Sequence, residues 1–397
     1  MIAPTRNLTV FHGIGAIAAT LLGSGLFIVP AISATLAGSE AMIAWIVMSC
    51  AIMPIAYVFG ALGKACPHME GSAYFVHQAF GERAGKFVGY LFISVIPIGP
   101  PVVILTGATY LDSLVGQGYE TILAYAIIVI IFVLNRAHFS VSAGIGSVVS
   151  LAIAGLIAFV AIAAAQLPAT APVPTPQGGV IAAIGVVFWC YVGIEAMSHL
   201  SGEFRHSSDF LLSVVIGVVV VGILYSLATY GVMKFGAYGE EGINMNSLII
   251  IGDRIGGRDG VVVISVIGFL ICLIAANLYI ASSSRLISSY SKGSLSLSQA
   301  LLFSVAMITA TISIKFLIQF KIELLIGYAN GVFVAIYMAV TASGIRLLRG
   351  FGRIAAILGT VFLLAIVAVI GGQMIYVLGV LGVLGLSLCR DGFARVR

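Results

Sequence analysis

The chain has 397 residues, of which 61% are hydrophobic and only 8% charged. A soluble domain is about one quarter charged, so a water-solvated globule is excluded and most of the surface must face lipid. The net charge of +5 does not point to nucleic acid, because Lys and Arg are scattered singly and form no basic stripe.

A membrane-crossing helix needs about 20 apolar residues. Such segments fall near 10–33, 41–63, 87–111, 121–135, 143–166, 179–199, 210–233, 261–284, 296–314, 323–345, 354–370 and 373–389. The sequence therefore predicts an all-α membrane protein with about twelve spans, read as one transporter domain over 1–397. The fourth span is short, and the last two are separated by little more than Gly371-Gly372. The start of the chain lacks the basic run and small-residue cleavage site of a secretory signal, so the first span is expected to stay in the mature protein.

Orientation follows from the basic residues. Only Lys234, Arg254, Arg258, Lys315 and Lys321 of the 19 Lys and Arg fall on one side. The remainder, among them Arg6, Lys64, Arg136, Arg346, Arg349, Arg353 and Arg397, share the other. Both termini are thus expected in the cytoplasm. Of the connections, 64–86 reads as a short interfacial helix after Gly71 that ends at Gly81. The Pro-rich run from Pro168 to Pro176 joins two spans. Residues 236–260, with Gly and mixed charge, read as a solvated outer loop rather than a cover for the outer vestibule.

Two spans carry interruptions about 170 residues apart. The first is Gly23-Ser24-Gly25, followed by Leu26, Phe27 and Pro30. Glycines around a serine weaken a helix locally. The half-helix beyond would start with free N–H groups and a positive dipole end, a seat for a carboxylate, to which the Ser24 hydroxyl adds a donor. The second is Tyr191-Val192-Gly193, preceded by Phe188 and Trp189 and followed by Glu195. Broken helices at matching places in two halves mark a substrate site at the membrane midplane. Glu195 is the one acidic residue well inside a span. A carboxyl there is costly to ionise, so it is expected to bind and release a proton as a cavity opens and closes. Trp189, and to a lesser degree Phe188, are expected to close over a substrate.

Other polar groups in spans are Tyr90, Ser94, Asn277, Tyr279, Tyr328 and Asn330. Asn277 and Asn330 interest us most because a buried amide needs partners, although either can simply bridge helices. Pro97, Pro100 and Pro101 predict a bend in the third span. The five cysteines (Cys50, Cys66, Cys190, Cys272 and Cys389) and six histidines show no metal-ligand or redox spacing, so no metal or cofactor is expected. Intramembrane enzyme chemistry lacks its paired acids, His-Glu clusters or Ser-His pairs. A cavity with only helix-end dipoles, a few hydroxyls and Glu195 suits a zwitterion with an apolar side chain.

These residues resemble the amino acid–polyamine–organocation transporter superfamily. The resemblance rests on Gly23-Ser24-Gly25-Leu26-Phe27 with Pro30, on Pro67 through Gly71 to Tyr74, and on Phe188 through Glu195. Gly202-Glu203-Phe204-Arg205 through Asp209 adds to it, as do Ser94 through Gly99, Asn277-Leu278-Tyr279-Ile280 and Tyr328-Ala329-Asn330-Gly331. It implies a LeuT-like five-plus-five inverted repeat, with repeat one at about 10–166, repeat two at about 179–345 and two extra helices at about 354–389. Helices 1 and 6 would be broken, and the substrate's carboxylate and amino groups would sit at those breaks. Gly23, Ser24, Gly25, Trp189, Tyr191, Val192 and Gly193 would bind substrate, with Phe188, Asn277, Tyr328 and Asn330 in support. Glu195 would couple or gate transport, and Trp189 would act as an aromatic gate. Where relatives have a Gly pair in the first cytoplasmic loop, this chain has Glu70-Gly71. Residues 143–166 contain no Lys, so a charge in place of a sodium ion cannot be carried over, and H⁺ and Na⁺ both stand as coupling ions. Within the superfamily the similarity is greatest to bacterial exporters of apolar amino acids. Export of methionine, leucine, isoleucine and valine from a bacterial inner membrane is the expectation; an importer or exchanger of the same substrates would need the same residues.

Overall fold

A computed structural model describes residues 8–68, 71–116, 118–137, 143–166, 168, 176, 178–291 and 294–394, and side chains for all of these except 143–150 and 386–394. Every regular element among them is helical, as lipid demands of a backbone that must satisfy its own hydrogen bonds. The sole extended contact is a single bridge between Leu8 and Phe204.

In chain order the helices are α1 (Val10–Leu21), α2 (Gly25–Ala37), α3 (Ala41–Ala65), α4 (Ser72–Phe80), α5 (Glu82–Ser94), α6 (Gly99–Val115), α7 (Glu120–Arg136) and α8 (Ala143–Gln166). Then come α9 (Gly179–Val187), α10 (Ile194–Met197), α11 (Ser207–Lys234), α12 (Glu241–Met245) and α13 (Ser247–Tyr290). Finally come α14 (Leu297–Ile318), α15 (Ile322–Leu347), α16 (Phe351–Ile370) and α17 (Ile375–Ala394). Tighter 3₁₀ turns occupy Phe188–Tyr191 and Ser198–Glu203.

Among the described residues, eight helical stretches are long and apolar enough to cross a membrane, and Val10–Leu21 and Leu151–Gln166 are shorter apolar helices. The chain is a multi-pass membrane protein. Some of the eight are compound. Gly25–Ala65 has 41 residues, about 60 Å of helix against a hydrocarbon core of about 30 Å. It divides into α2 and α3 at Gly38, whose φ of 56° a side chain would resist. The stretch Phe351–Gly385 divides in the same way at Gly371 (φ 53°).

The interfacial helix expected after Gly71 is α4, bounded by Gly71 (φ 53°) and Gly81 (φ 91°). A Cβ on Gly71 would stand 2.3 Å from Ser198 Oγ, so the loop must approach the second broken span closely there. Glu70, the departure from the Gly pair, lies outside the described residues. The bend expected from the prolines is a turn at Val95–Ile98 between α5 and α6.

Residues 236–260 differ from the solvated loop expected of them. They form α12 and the start of α13, with Asn244, Met245, Leu248, Ile249 and Ile251 buried. Asn244 Oδ1 accepts from Thr35 Oγ1 (2.9 Å) and from the Gly239 N–H (3.0 Å). Glu241 Oε1 accepts from the Ile322 N–H (3.0 Å) and lies 3.5 Å from Lys315 Nζ. The interspersed Gly and charges concealed an apolar face too short for periodicity to register.

The core lies where α11 packs on α3 and α1, α13 on α6, and α15 on α16. Large apolar side chains such as Ile46, Leu317, Val361 and Leu378 are exposed, as lipid-facing helices require.

Candidate substrate site at two crossed helix breaks

The first break lies between α1 and α2. Leu22 leaves helical geometry (φ −80°, ψ 52°), and its N–H still bonds to Ala18 O at 2.8 Å. The ladder resumes with the Leu26 N–H to Gly23 O (3.2 Å) and the Phe27 N–H to Ser24 O (3.1 Å). The N–H groups that open α2 therefore stand outside the ladder, as at any helix start. At the other side of the gap, Leu21 O accepts from the Tyr225 hydroxyl of α11 at 2.8 Å.

The second break follows α9. A 3₁₀ turn carries Phe188 to Tyr191, Val192 is extended (φ −71°, ψ 128°), and Gly193 adopts φ 124° before α10. Such a φ suits glycine and few other residues. Glu195 Oε2 accepts from the Gly193 N–H at 2.9 Å, a local bond that holds the turn. The Tyr337 hydroxyl of α15 lies 3.0 Å from Tyr191 O and 2.5 Å from Glu195 Oε2. On the other side of the turn the Tyr191 hydroxyl meets Ser49 Oγ of α3 at 2.6 Å.

The two breaks abut. A Cβ on Gly25 would sit 3.1 Å from Cys190 Sγ, 3.1 Å from the Tyr225 hydroxyl and 3.2 Å from Trp189 Cδ1. A Cβ on Gly193 would sit 3.0 Å from Thr20 Cγ2 and 3.2 Å from Leu21 Cδ2. Each break thus uses a glycine to admit the other. Gly23 contrasts with both, since a Cβ there meets nothing within 4 Å. Open space borders the chain just before α2.

Trp189 is half-buried and reaches from Gly25 towards the third-span turn, where Gly99 lies 3.9 Å from its Cη2 by the same measure. Phe188 is fully buried and packs edge-on to Tyr337, with ring centroids 5.8 Å apart. Position therefore separates the two aromatics: Trp189 borders the site and Phe188 belongs to its wall. Ser24 is buried at the break. Glu195, 6% exposed, is the one Asp, Glu, Lys or Arg among the described residues that is buried.

The supporting residues separate as well. Asn330 is 1% exposed, and its Nδ2 donates to Gly185 O of α9 at 2.9 Å, while its Oδ1 finds no partner. Tyr328 stacks on Tyr376 (5.6 Å), whose hydroxyl donates to Ser94 O (2.6 Å), a carbonyl freed by the third-span turn. Asn277 accepts from Asn135 Nδ2 at 2.8 Å and ties α13 to α7, away from the two breaks. Sequence reasoning did not single out Tyr225, Tyr337 or Ser49. Their only signal was a hydroxyl within an apolar run, which many helix-bridging residues share. Among the described residues no group of His, Cys, Asp and Glu is arranged to hold a metal.

The profile of the amino acid permease family matches residues 8–294. The chain is 33% identical over 402 residues to the L-methionine/branched-chain amino acid exporter of Escherichia coli (strain K12), covering 96% of each chain. It is 25% identical over 363 residues to an uncharacterized amino acid permease of Bacillus subtilis (strain 168), covering 86% of this chain and 85% of that one. A cadaverine/lysine antiporter of Escherichia coli (strain K12) is 26% identical over 241 residues, 56% of this chain and 53% of its own. With its broken, glycine-hinged spans and this match over most of its length, the chain belongs to the amino acid permease family of the amino acid–polyamine–organocation superfamily, which are transporters and not enzymes.

Proposed function

We propose that this protein exports neutral apolar amino acids, with methionine, leucine, isoleucine and valine as substrates, in exchange for protons. The observation that carries the reading is the juxtaposition of the breaks, with open space at Gly23 and one buried carboxyl, Glu195, beside them. The substrate carboxylate takes the N–H groups of Gly23, Ser24 and Gly25 and the positive end of α2. Its ammonium takes carbonyls near Tyr191 and Val192, which the second break removes from the ladder. The apolar side chain meets Trp189. Glu195 carries the proton.

Twelve crossings, ten in a five-plus-five inverted repeat and two after it, fit the matching breaks and the glycine-divided stretches. In this reading both termini face the cytoplasm of a bacterium and the protein lies in its inner membrane, as the distribution of Lys and Arg supports. Rocking of the broken-helix bundle against the remaining helices would open the site to each side in turn. Identity to the methionine exporter over nearly all of both chains supports the substrate class.

The test is efflux of radiolabelled methionine from proteoliposomes with leucine and arginine as competitors. Inhibition by leucine and not by arginine is expected. Arginine inhibition, or the absence of methionine flux through correctly inserted protein, contradicts the substrate assignment. A sodium gradient that drives flux where a pH gradient does not would replace the coupling ion.

A further inference from the structure

Tyr337 has one hydroxyl proton and two acceptors in reach, the Tyr191 carbonyl at 3.0 Å and Glu195 Oε2 at 2.5 Å. A tyrosine hydroxyl donates once and accepts besides. Both contacts are satisfied together only when Glu195 carries a proton. The carboxyl O–H then donates to the Tyr337 oxygen, and Tyr337 donates to the Tyr191 carbonyl. When Glu195 is ionised it can only accept, so the Tyr337 hydroxyl must turn to it and the Tyr191 carbonyl loses its donor. A buried carbonyl left without a partner is unfavourable, and an ammonium group is the donor that restores it.

We infer that Tyr337 is the positioning residue that makes proton and substrate ammonium mutually exclusive, by handing its hydroxyl between Glu195 and the Tyr191 carbonyl. This rests on the proton-exchange reading above and adds its linkage. In the cavity open to the cytoplasm the Glu195 O–H bond breaks and the proton leaves to water. The Tyr337 O–H bond does not break; it rotates about the C–O bond toward the carboxylate, and the freed carbonyl receives the ammonium. In the cavity open to the outside a proton from water bonds to Glu195, Tyr337 rotates back, and the ammonium is displaced.

The surroundings favour this exchange. The Tyr337 ring is held against Phe59 (5.1 Å), Phe188 (5.8 Å) and Phe333 (6.5 Å), so the hydroxyl can rotate while the ring stays. The Gly193 N–H contact at 2.9 Å anchors Glu195 Oε2 to its own turn. Among the described residues, the ionisable groups facing Glu195 are Tyr337 of α15 and, at longer range, Tyr279 of α13. The Ser198 hydroxyl is engaged with the Glu195 backbone carbonyl, so among the described residues Tyr337 is the side chain that hydrogen-bonds the Glu195 carboxyl.

The test compares wild type with Tyr337→Phe and Glu195→Gln in proteoliposomes, reading methionine–methionine counterflow and the pH dependence of methionine KM. Counterflow needs no proton and is read first in each variant, as the measure of how much folded, inserted protein the KM profile reports on. In the wild type, KM should fall by up to about tenfold per pH unit across the range in which Glu195 titrates, as one-for-one linkage requires. In Tyr337→Phe the fall should shrink to about twofold, because neither state then supplies the carbonyl with a donor. A Tyr337→Phe profile as steep as the wild type overturns the inference, while a flat Glu195→Gln profile alongside it leaves the carboxyl assignment standing. A steep Glu195→Gln profile instead removes the proton-exchange reading itself. A second measurement uses the wild type alone. 4-(Methylthio)butyrate, which is methionine without its amino group, should compete with an inhibition constant independent of pH. A dependence as steep as that of methionine overturns the inference even if Tyr337→Phe fails to fold.

Discussion

Two glycines at the crossed breaks, Gly23 and Gly25, carry different loads, and substitution separates them. Gly25→Ala pushes a methyl to 3.1–3.2 Å from Cys190, Tyr225 and Trp189, so side chains that line both breaks must shift. Transport should fall at least about tenfold, since misplacement of this order is costly to a preorganised site. Gly23→Ala meets open space, so the protein should fold as the wild type does and lose mainly affinity, read as a raised methionine KM. Equal effects on KM and on melting temperature in both variants would contradict the distinction. Tyr225→Phe leaves Leu21 O without the donor it now has at 2.8 Å. An unsatisfied buried acceptor costs about 1–3 kcal/mol, so thermal unfolding in detergent should occur at lower temperature. The glycines were legible in the sequence because their chemistry is local: only they tolerate such turns and such approaches. Tyr225, Tyr337 and Ser49 were not, because their partners stand 142 to 204 residues away, and no pattern along one helix records a contact made by another.

At the scale of elements, the short helix α4 was readable to the residue, since Gly71 and Gly81 bound an apolar and aromatic run. Its docking was not. Gly71 sits at φ 53° with Ser198 Oγ where a Cβ would go. Gly71→Ala should therefore cost about 1–3 kcal/mol from backbone strain alone, measured as a drop in melting temperature. The segment from α12 into α13 was misread as solvated because its buried residues are spaced among glycines and charges. Its hydrogen bonds to α2 are those of Asn244 and the Gly239 N–H with Thr35 and of the Ser247 hydroxyl to Phe27 O. The third-span turn was foreseen from Pro97, Pro100 and Pro101. That Tyr376 supplies the lost donor to Ser94 O at 2.6 Å became visible only with the last helix in place.

For the whole molecule, composition alone decided between lipid and water, and the proposed two-halved plan rests on the spacing of the two breaks. Topology has its own test. Surface cysteines in place of Glu240 and Arg349 should react differently with a membrane-impermeant maleimide in intact cells, Glu240→Cys at once and Arg349→Cys only after lysis. Reversed labelling would invert the orientation and, with it, the direction in which a proton gradient drives flux. The account depends on the protonation of one buried carboxyl being linked to occupancy of the adjoining carbonyls by substrate. The most direct measurement is methionine efflux from proteoliposomes under an imposed pH gradient, with proton movement followed by an internal dye, for wild type and Glu195→Gln. The account predicts that the gradient accelerates wild-type efflux and that protons move inward with it, and that both responses vanish in Glu195→Gln while methionine counterflow persists. Proton-driven efflux undiminished in Glu195→Gln would contradict it.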